Sequence, residues 1–476
     1  MESFEEIARR HETWLPMLRD NPKMKRILLC AYPDKAHFIY ELLQNAEDAR
    51  ATHVEFSLYD DRLEVVHNGR DFSLEDINAI TSVGQSFKDS DDTTIGQFGI
   101  GFKAVFAYTD TPEILSGAYH FLIRDMILPV AMDSPAVPAR HETKFIFPFN
   151  KGNPEETARE IESGLCTLQG NSLLFLSSIQ SISCSFAGGS VLLERKDHAD
   201  GITETTLHGT SGSVSTSRWL RFVKRVEVED EDKTLKKLEI ALAYRLQQDE
   251  KRNWHIVPDD DAHVSIFFPA VKEYSGLKFY IHAPFASTIA RDSVRDCLPN
   301  EILCEKIADL AVESLTTVRE RGLLDMSFLA TLPNHKDPLG KLYLNIREKI
   351  LTAFQTDSFT PADMGGYVPA QDLIVGPKDI RDVFPTRTWK NFWASLSPYG
   401  RPVRLPGIFV QTTFWKVWKW SPGAGMTWRM WMEKYTTVFM PCLRSETIAG
   451  SCISMPLPVK KSFAAIRCLS RTSSKI

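Results

Sequence analysis

Two short stretches carry side chains able to do chemistry. In E-L-L-Q-N-A-E-D-A, residues 41–49, Glu41, Asn45 and Asp48 stand at i, i+4 and i+7 and so share one helical stripe. In G-Q-F-G-I-G-F-K, residues 96–103, Gly96, Gly99 and Gly101 surround Gln97, Phe98 and Ile100 and lead into Phe102 and Lys103. Backbone without side chains can approach a phosphate chain closely, above all just before a helix start. Hydrolysing a phosphoanhydride needs a water held in line, a group to orient or deprotonate it, a divalent cation and donors for the phosphates. Glu41 is the natural base, able to polarise a water. Asn45, one turn on, offers a neutral oxygen suited to Mg²⁺, which usually takes few protein ligands and keeps several waters. Asp48 can orient Asn45, a backbone group or a water-linked part of a nucleotide. The alternative for the stripe alone is a solvated helix face. Together the two stretches imply a nucleotide site with its own hydrolytic base.

The glycine spacing is G-x-x-G-x-G, neither the dinucleotide fingerprint nor the phosphate loop G-x-x-x-x-G-K-[ST]. Lys103 can set a point charge near the phosphates or stand exposed. The polar run 84–95, G-Q-S-F-K-D-S-D-D-T-T-I, carries almost no apolar anchor. It suits a mobile lid that orders over nucleotide and excludes water.

The elements that must position these residues follow from periodicity. Phe38, Leu42, Leu43, Ala46 and Ala49 recur with helical period and give the first stretch an apolar face. Residues 54–58 and 63–66, joined through Asp60-Asp61, read as a β-hairpin. Ser73, with Asp76 three residues on, has the form of a capping box opening a helix. A helix near 104–108 precedes strands at 113–125 and 143–149. From about 172 to 285 strand-like runs dominate, L-L-F-L-S-S-I and L-E-I-A-L-A-Y-R-L among them, broken by polar loops at 196–217 and 227–236. Ile302, Leu303, Ile307, Leu310 and Leu315 return to helical period over 300–320.

Composition bounds the function class. The 476 residues exceed one ordinary core, and 43% hydrophobic with 25% charged residues describes a soluble globular chain. The net charge of -5 argues against a dedicated nucleic-acid surface. No apolar run reaches the roughly 18 residues of a membrane span, and the N-terminus lacks the basic-then-apolar order of a secretory signal. The eight cysteines form no C-x-x-C pair. They read as buried thiols in a reducing cytoplasm rather than a zinc site or a disulfide framework.

The two stretches, their order and their separation resemble the gyrase, heat-shock chaperone, histidine kinase and MutL (GHKL) superfamily with its Bergerat ATP-binding fold. The wording Y-P-D-K-A-H-F-I-Y-E-L-L-Q-N-A-E-D-A, with H-N-G-R-D-F-S, is most similar to the sacsin and NO VEIN branch. The resemblance is specific over 30–150 and weaker to about 400. It implies an α/β sandwich with ATP and Mg²⁺ as cofactors, Glu41 as general base, Asn45 as Mg²⁺ ligand and 96–103 as phosphate-binding loop. Thr143, in H-E-T-K-F-I-F, matches the threonine near the adenine, although Glu142 stands where the family has glycine. The family's Asp-x-Gly, whose carboxylate accepts from the adenine amino group, is here His67-Asn68-Gly69. Either His67 or Asn68 could accept that bond, Asn68 through its amide oxygen. Glu41 sets the chain apart from the histidine kinases, which lack a glutamate there. G-L-K-F-Y-I-H-A-P-F-A-S-T-I-A-R-D-S-V, residues 276–294, loosely resembles the chaperones' middle domain. Arg291 is the candidate to reach the γ-phosphate as an arginine finger, or else is a surface residue at a loop-to-helix boundary. The resemblance implies a conformational switch acting on a protein client, and leaves room for a nucleotide-dependent dimer. The alternatives are an ATP-gated regulator of a nucleic-acid-acting effector and a scaffold that does not hydrolyse.

The expected organisation is an ATP-binding α/β domain at 1–185, a second, middle-type α/β domain at 186–330, a mainly helical region at 331–404 and a tail from 405. Trp415, Trp418, Trp420, Trp428 and Trp431 crowd that tail without helical or strand alternation. A Trp codon before a Lys codon reads, one register over, as Leu, Met or Val before Glu. The tail therefore reads as frameshifted, or otherwise as a genuine Trp-rich binding segment.

Overall fold

Val54, Phe56 and Leu58 fall on one face of an extended run, as do Leu63, Val65 and His67. In the computed structural model these runs form an antiparallel hairpin, β1 (His53–Leu58) and β2 (Arg62–His67), with Phe56 opposite Val65. The structure describes residues 3–20, 38–82, 101–133, 141–229, 235–288, 292–362, 366–372, 374–375 and 426–427. Beyond β2 the sheet continues through β6 (Thr143–Pro148), β3 (Glu113–Ser116) and β4 (Tyr119–Arg124) to β5 (Leu128–Ala131). The run 113–125 thus breaks into a hairpin around Gly117, whose φ of 53° is the left-handed backbone that glycine adopts without strain.

On the other side of β1 lies β7 (Ser181–Phe186), in parallel. Then come β8 (Gly189–Asp197), β9 (Ile202–His208), β10 (Val214–Glu229) and β11 (Leu235–Gln248), each antiparallel to the last. The strands β12 (Trp254–Val257), β13 (Val264–Ile266), β14 (Phe268–Pro269) and β15 (Tyr280–His282) complete one mixed sheet of 15 strands. The molecule is therefore mixed α/β.

Four helices contribute to one core with the first strands: α1 (Phe4–Arg19), α2 (Phe38–Asp48), α3 (Leu74–Thr81) and α4 (Pro154–Cys166). Capping boxes open two of them, Ser3 with Glu6 for α1 and Ser73 with Asp76 for α3. The core-facing side of the sheet is a ladder of rows. Phe56, Val65, Phe145 and Ile114 stand in register across β1, β2, β6 and β3, all buried. Two residues further along, the same register gives Val54, His67, Thr143 and Ser116, so an apolar row is followed by a polar one.

Three sequence expectations are corrected. The run L-L-F-L-S-S-I is no strand: after a 3-10 turn at Gly170–Leu173 it stays irregular, with Leu174, Phe175, Leu176 and Ile179 buried, because distant side chains satisfy its backbone. The polar loop expected at 196–217 contains β9 and the start of β10. Its threonines are β-branched and suit a strand, and the buried pair Thr203 and Thr205 is satisfied by Asp197 and by the Trp219 indole. The helix near 104–108 is a 3-10 helix, Gly101–Ala107, set by close packing of Phe102, Ala104, Val105 and Phe106.

Residue contacts divide the chain into two compact units, 1–311 with 338–346, and 312–337 with 347–476. The boundary expected at 185/186 falls inside β7. The long helix α5 (Leu298–Glu320) follows the sheet. In the second unit, α6 (Met326–Thr331) is capped by Asp325, whose carboxylate accepts from Phe328 N–H at 2.9 Å. There the Arg319 guanidinium donates to Ser358 O at 2.8 Å and lies over the Phe359 ring. Of the tail only Met426–Thr427 is described, paired in parallel with Ile374–Val375.

Candidate functional site

Phe38, Ile39, Leu42, Leu43 and Ala46 pin α2 to the core, Phe38 meeting Tyr108 and Phe147 edge-on or tilted. That seating turns the next stripe toward the 3-10 helix. Glu41 is buried, while Asn45 and Asp48, one and two turns on, are half-buried. The end of the glycine cluster comes to Glu41: a Cβ built on Gly101 would sit 1.9 Å from Glu41 Oε2 and 2.2 Å from its Cδ. No other residue fits at 101 without displacing the carboxylate. The acid of the first stretch and the last glycine of the second, 60 residues apart in sequence, are thus in contact. Tyr40, next to Glu41, packs on Phe268 with ring centroids 5.2 Å apart, so the far edge of the sheet also touches α2.

Lys103 is not exposed. Its ammonium is buried and donates to Ile80 O and Met126 O, each at 2.7 Å. Burial pulls its pKa down to about 7. Ile80 precedes and Lys103 follows the stretch 83–100, so this one side chain ties its two flanks together. Beside it, His11 of α1 donates from Nδ1 to Ile127 O at 2.9 Å, its pKa lowered chiefly by burial.

The polar row lies on the same face. His67 is buried, and burial, with a smaller contribution from Arg70, holds its pKa down to about 4. Its Nδ1 accepts from Gly69 N–H at 3.2 Å, and its Nε2 has no hydrogen-bond partner among the described residues. Thr143 Oγ1 and Ser116 Oγ share a hydrogen at 2.5 Å, and Ser116 Oγ also accepts from Phe72 N–H at 2.8 Å. Asn68 points elsewhere. Its Oδ1 accepts from Thr52 N–H and His53 N–H at 2.9 and 3.0 Å, and its Nδ2 donates to Thr52 Oγ1 at 2.8 Å. Gly69 approaches the end of α2, where a Cβ would lie 2.7 Å from Ala49 O. The structure thus brings Glu41 to Gly101 and His67 beside Thr143, and commits the Asn68 amide to the entry of β1.

Sequence reasoning missed Glu47. It is buried, and its carboxylate accepts three backbone N–H groups, from Ser177, Ser178 and Ile179, at 2.6, 2.7 and 2.9 Å. Arg195 supplies the complementary donors, bonding Leu173 O at 2.9 Å and also Leu176 O, while Arg221 bonds Leu174 O at 3.0 Å. Arg195 Nε lies 3.2 Å from Asp197 Oδ2 but too misaligned to count as a hydrogen bond. A signal for Glu47 was present: it continues the buried stripe Ile39, Leu43 at spacing four, where a carboxylate needs a reason.

Gly96, Gln97, Phe98, Gly99, Ile100, the run 84–95 and Arg291 lie outside the described residues. The stems that flank Arg291 are held by buried Asn300, whose amide bonds Ala286 N–H, Ala286 O and Arg295 O at 2.8 Å each. Among the described residues, no group of three or more His, Cys, Asp or Glu is set to hold a metal ion, and no helix is long and apolar enough to cross a membrane.

Residues 22–145, which contain the Glu41–Gly101 contact and the polar row, match the family model of the Sacsin domain. Protein NO VEIN of Arabidopsis thaliana is 27% identical over 356 residues, 68% of this chain and 12% of that protein. Sacsin of Homo sapiens is 34% identical over 107 residues, 19% of this chain and 2% of sacsin. These similarities support a sacsin-type family, and the chain spans 12% or less of the length of the two relatives it matches.

Proposed function

We propose that this chain is a Mg²⁺-dependent, ATP-binding conformational switch that hydrolyses slowly and acts on a protein client in a sacsin-related, chaperone-like role. The observation that carries the reading is the Glu41–Gly101 contact, where an acid–amide stripe meets bare backbone at a point where any side chain would displace the carboxylate. Two further observations fit a nucleotide and a cation. Half-buried Asn45 stands one turn from Glu41, and a buried His67 nitrogen has no partner among the described residues.

In this reading Glu41 polarises the attacking water, and its burial in a water-poor wall strengthens that effect. Asn45 holds the cation through its amide oxygen, and Asp48 orients Asn45 or a water at the base end. The missing side chain at Gly101 leaves the room in which the Glu41 carboxylate sits against the end of the glycine stretch. Held at Asn45, a divalent cation would supply positive charge against that developing on the phosphates. His67 and Thr143 line the base end, and Asn68 supports them by fixing the strand entry.

The test is Glu41→Gln, which keeps the shape that packs on Gly101. Turnover of ATP should fall by about 10²- to 10⁴-fold, while the dissociation constant changes by no more than about threefold, a difference of roughly 0.7 kcal/mol. A full-length chain that binds no nucleotide sinks the proposal. Binding without turnover in the unaltered protein leaves only the non-hydrolysing scaffold.

A further inference from the structure

The helix that carries Glu41 is held from two sides, and both holds run through one buried side chain that the proposed reaction does not use. Near the start of α2, Tyr40 packs on Phe268 with ring centroids 5.2 Å apart. Near its end, Glu47 accepts from the N–H groups of Ser177, Ser178 and Ile179. The gripping residues reach into different core clusters, Phe268 into the one that includes α2 and Phe175 into the one that includes Trp219 and Tyr280. His282 of β15 joins them. Its ring is 2% exposed, stacks on Phe175 with centroids 5.3 Å apart, and meets Phe267 edge-on at 4.9 Å.

The Phe267 backbone shows why that ring matters. Its φ of 68° is left-handed, an outlier for an aromatic residue that persists only where the surroundings impose it. Phe267 N–H donates to His282 Nδ1 at 3.2 Å. The same nitrogen stands 3.2 Å from Ser265 O, but it cannot accept from Phe267 and donate to Ser265 at once. Ser265 O already accepts from Ala283 N–H at 3.4 Å, so Nδ1 is assigned as the acceptor for Phe267. Burial keeps the ring neutral at pH 7, and its lone pair is available. The tight turn between β13 and β14 is thereby fixed, and with it the seat of Phe268 against Tyr40.

We propose, resting on the nucleotide reading above, that His282 is a positioning residue for the Glu41 helix. By accepting from Phe267 N–H it sets the turn that presents Phe268 to Tyr40, and by stacking on Phe175 it steadies the stretch that Glu47 grips. Tyr40 and Glu47 stand about two turns apart on α2 with Glu41 between them. Loosening either hold therefore tilts the helix and moves the carboxylate against Gly101. That seat is tight, since a Cβ at 101 would lie 1.9 Å from Glu41 Oε2. A shift of about 1 Å in a reacting group is enough to cost turnover.

The experiment compares His282→Phe, which keeps the stack on Phe175 and removes the acceptor, with His282→Asn, whose side-chain oxygen can accept in place of Nδ1. In the full chain with Mg²⁺, His282→Phe should lower kcat for ATP by about 10-fold or more, while KM moves by no more than about threefold. His282→Asn should bring kcat back to within about threefold of the unaltered protein. Without nucleotide, hydrogen exchange at amides 42–47 should quicken by about 10-fold in His282→Phe and return in His282→Asn. Unchanged turnover in His282→Phe, an equal fall in both variants, or a KM that rises as much as kcat falls each overturn the assignment and leave the nucleotide site standing. If His282→Phe does not fold, Phe268→Leu decides, since it breaks the contact with Tyr40 and should show the same split; an unmoved kcat there overturns the assignment. Absence of ATP turnover in the unaltered chain sinks the nucleotide reading, and exchange at 42–47 then decides the positioning by itself.

Discussion

Two buried polar regions of this molecule stand in contrast. The irregular stretch 173–179 is closed: Glu47 takes three of its N–H groups, and Arg195 and Arg221 donate to its carbonyls at Leu173, Leu174 and Leu176. The row His67, Thr143, Ser116 lies in regular strands, yet it leaves a ring nitrogen unmatched. Irregular backbone can be buried when side chains replace the ladder it lacks, and such a region is structural. Regular backbone satisfies itself, so the nitrogen left unmatched at His67 belongs to a side chain and not to the ladder. Burial of a charged or polar residue does not by itself separate the two cases.

The largest effect should come from opening the closed region. Glu47→Ala leaves three backbone donors without their acceptor and removes a negative charge near the buried Arg195 guanidinium, and should destabilise the fold by about 3–5 kcal/mol. Urea unfolding would read this as a lower midpoint at unchanged slope. A loss under about 1 kcal/mol would break the contrast, since water would then be serving 177–179.

A second, smaller effect lies in the open row. The folded pKa of His67, about 4, is below the unfolded 6.5, so between these values the unfolded chain binds more protons. Stability contributed by neutral His67 is therefore complete above pH 6.5 and is lost as pH falls toward 4, by roughly 2–3 kcal/mol. His67→Phe should flatten that acid slope. His11, His263 and His282, also lowered chiefly by burial, retain theirs, so a slope unchanged in His67→Phe would place the acid sensitivity on them.

The smallest effect concerns the turn that supports the row. Asn68 is exposed but makes three hydrogen bonds to residues 52–53, so Asn68→Ala should cost about 1–2 kcal/mol in thermal or urea unfolding. If nucleotide binding then falls far more than stability, Asn68 contacts the ligand as well as the strand entry.

Much of the local structure was legible. The hairpin 53–67 follows from apolar alternation around Asp60-Asp61, and Ser73 with Asp76 announces α3 as plainly as Ser3 with Glu6 announces α1. The stripe Glu41, Asn45, Asp48 follows from helical period alone. Less legible was anything whose partners are distant. Leu-Leu-Phe-Leu at 173–176 has strand composition, and only Glu47, some 130 residues away, with Arg195 makes an irregular path affordable there. Residues 202–208 and 214–217 have loop composition, and only their register between β8 and β11 makes them strands. Lys103 could be read as a phosphate ligand or as a surface residue, because neither Ile80 O nor Met126 O is visible in its neighbourhood of sequence.

What the chain's order of residues determined by itself was periodicity and residue type: which faces are apolar, which helices are capped, and which acid, amide and glycines are at hand. Those depend on neighbours within a few positions. Tertiary structure alone decided that Glu41 meets Gly101, that Glu47 serves a loop, and that a buried His67 nitrogen is left without a partner among the described residues. Each of these is set by packing and register between elements far apart in sequence, where hydrogen bonds form or go unmade only once the core has closed around them.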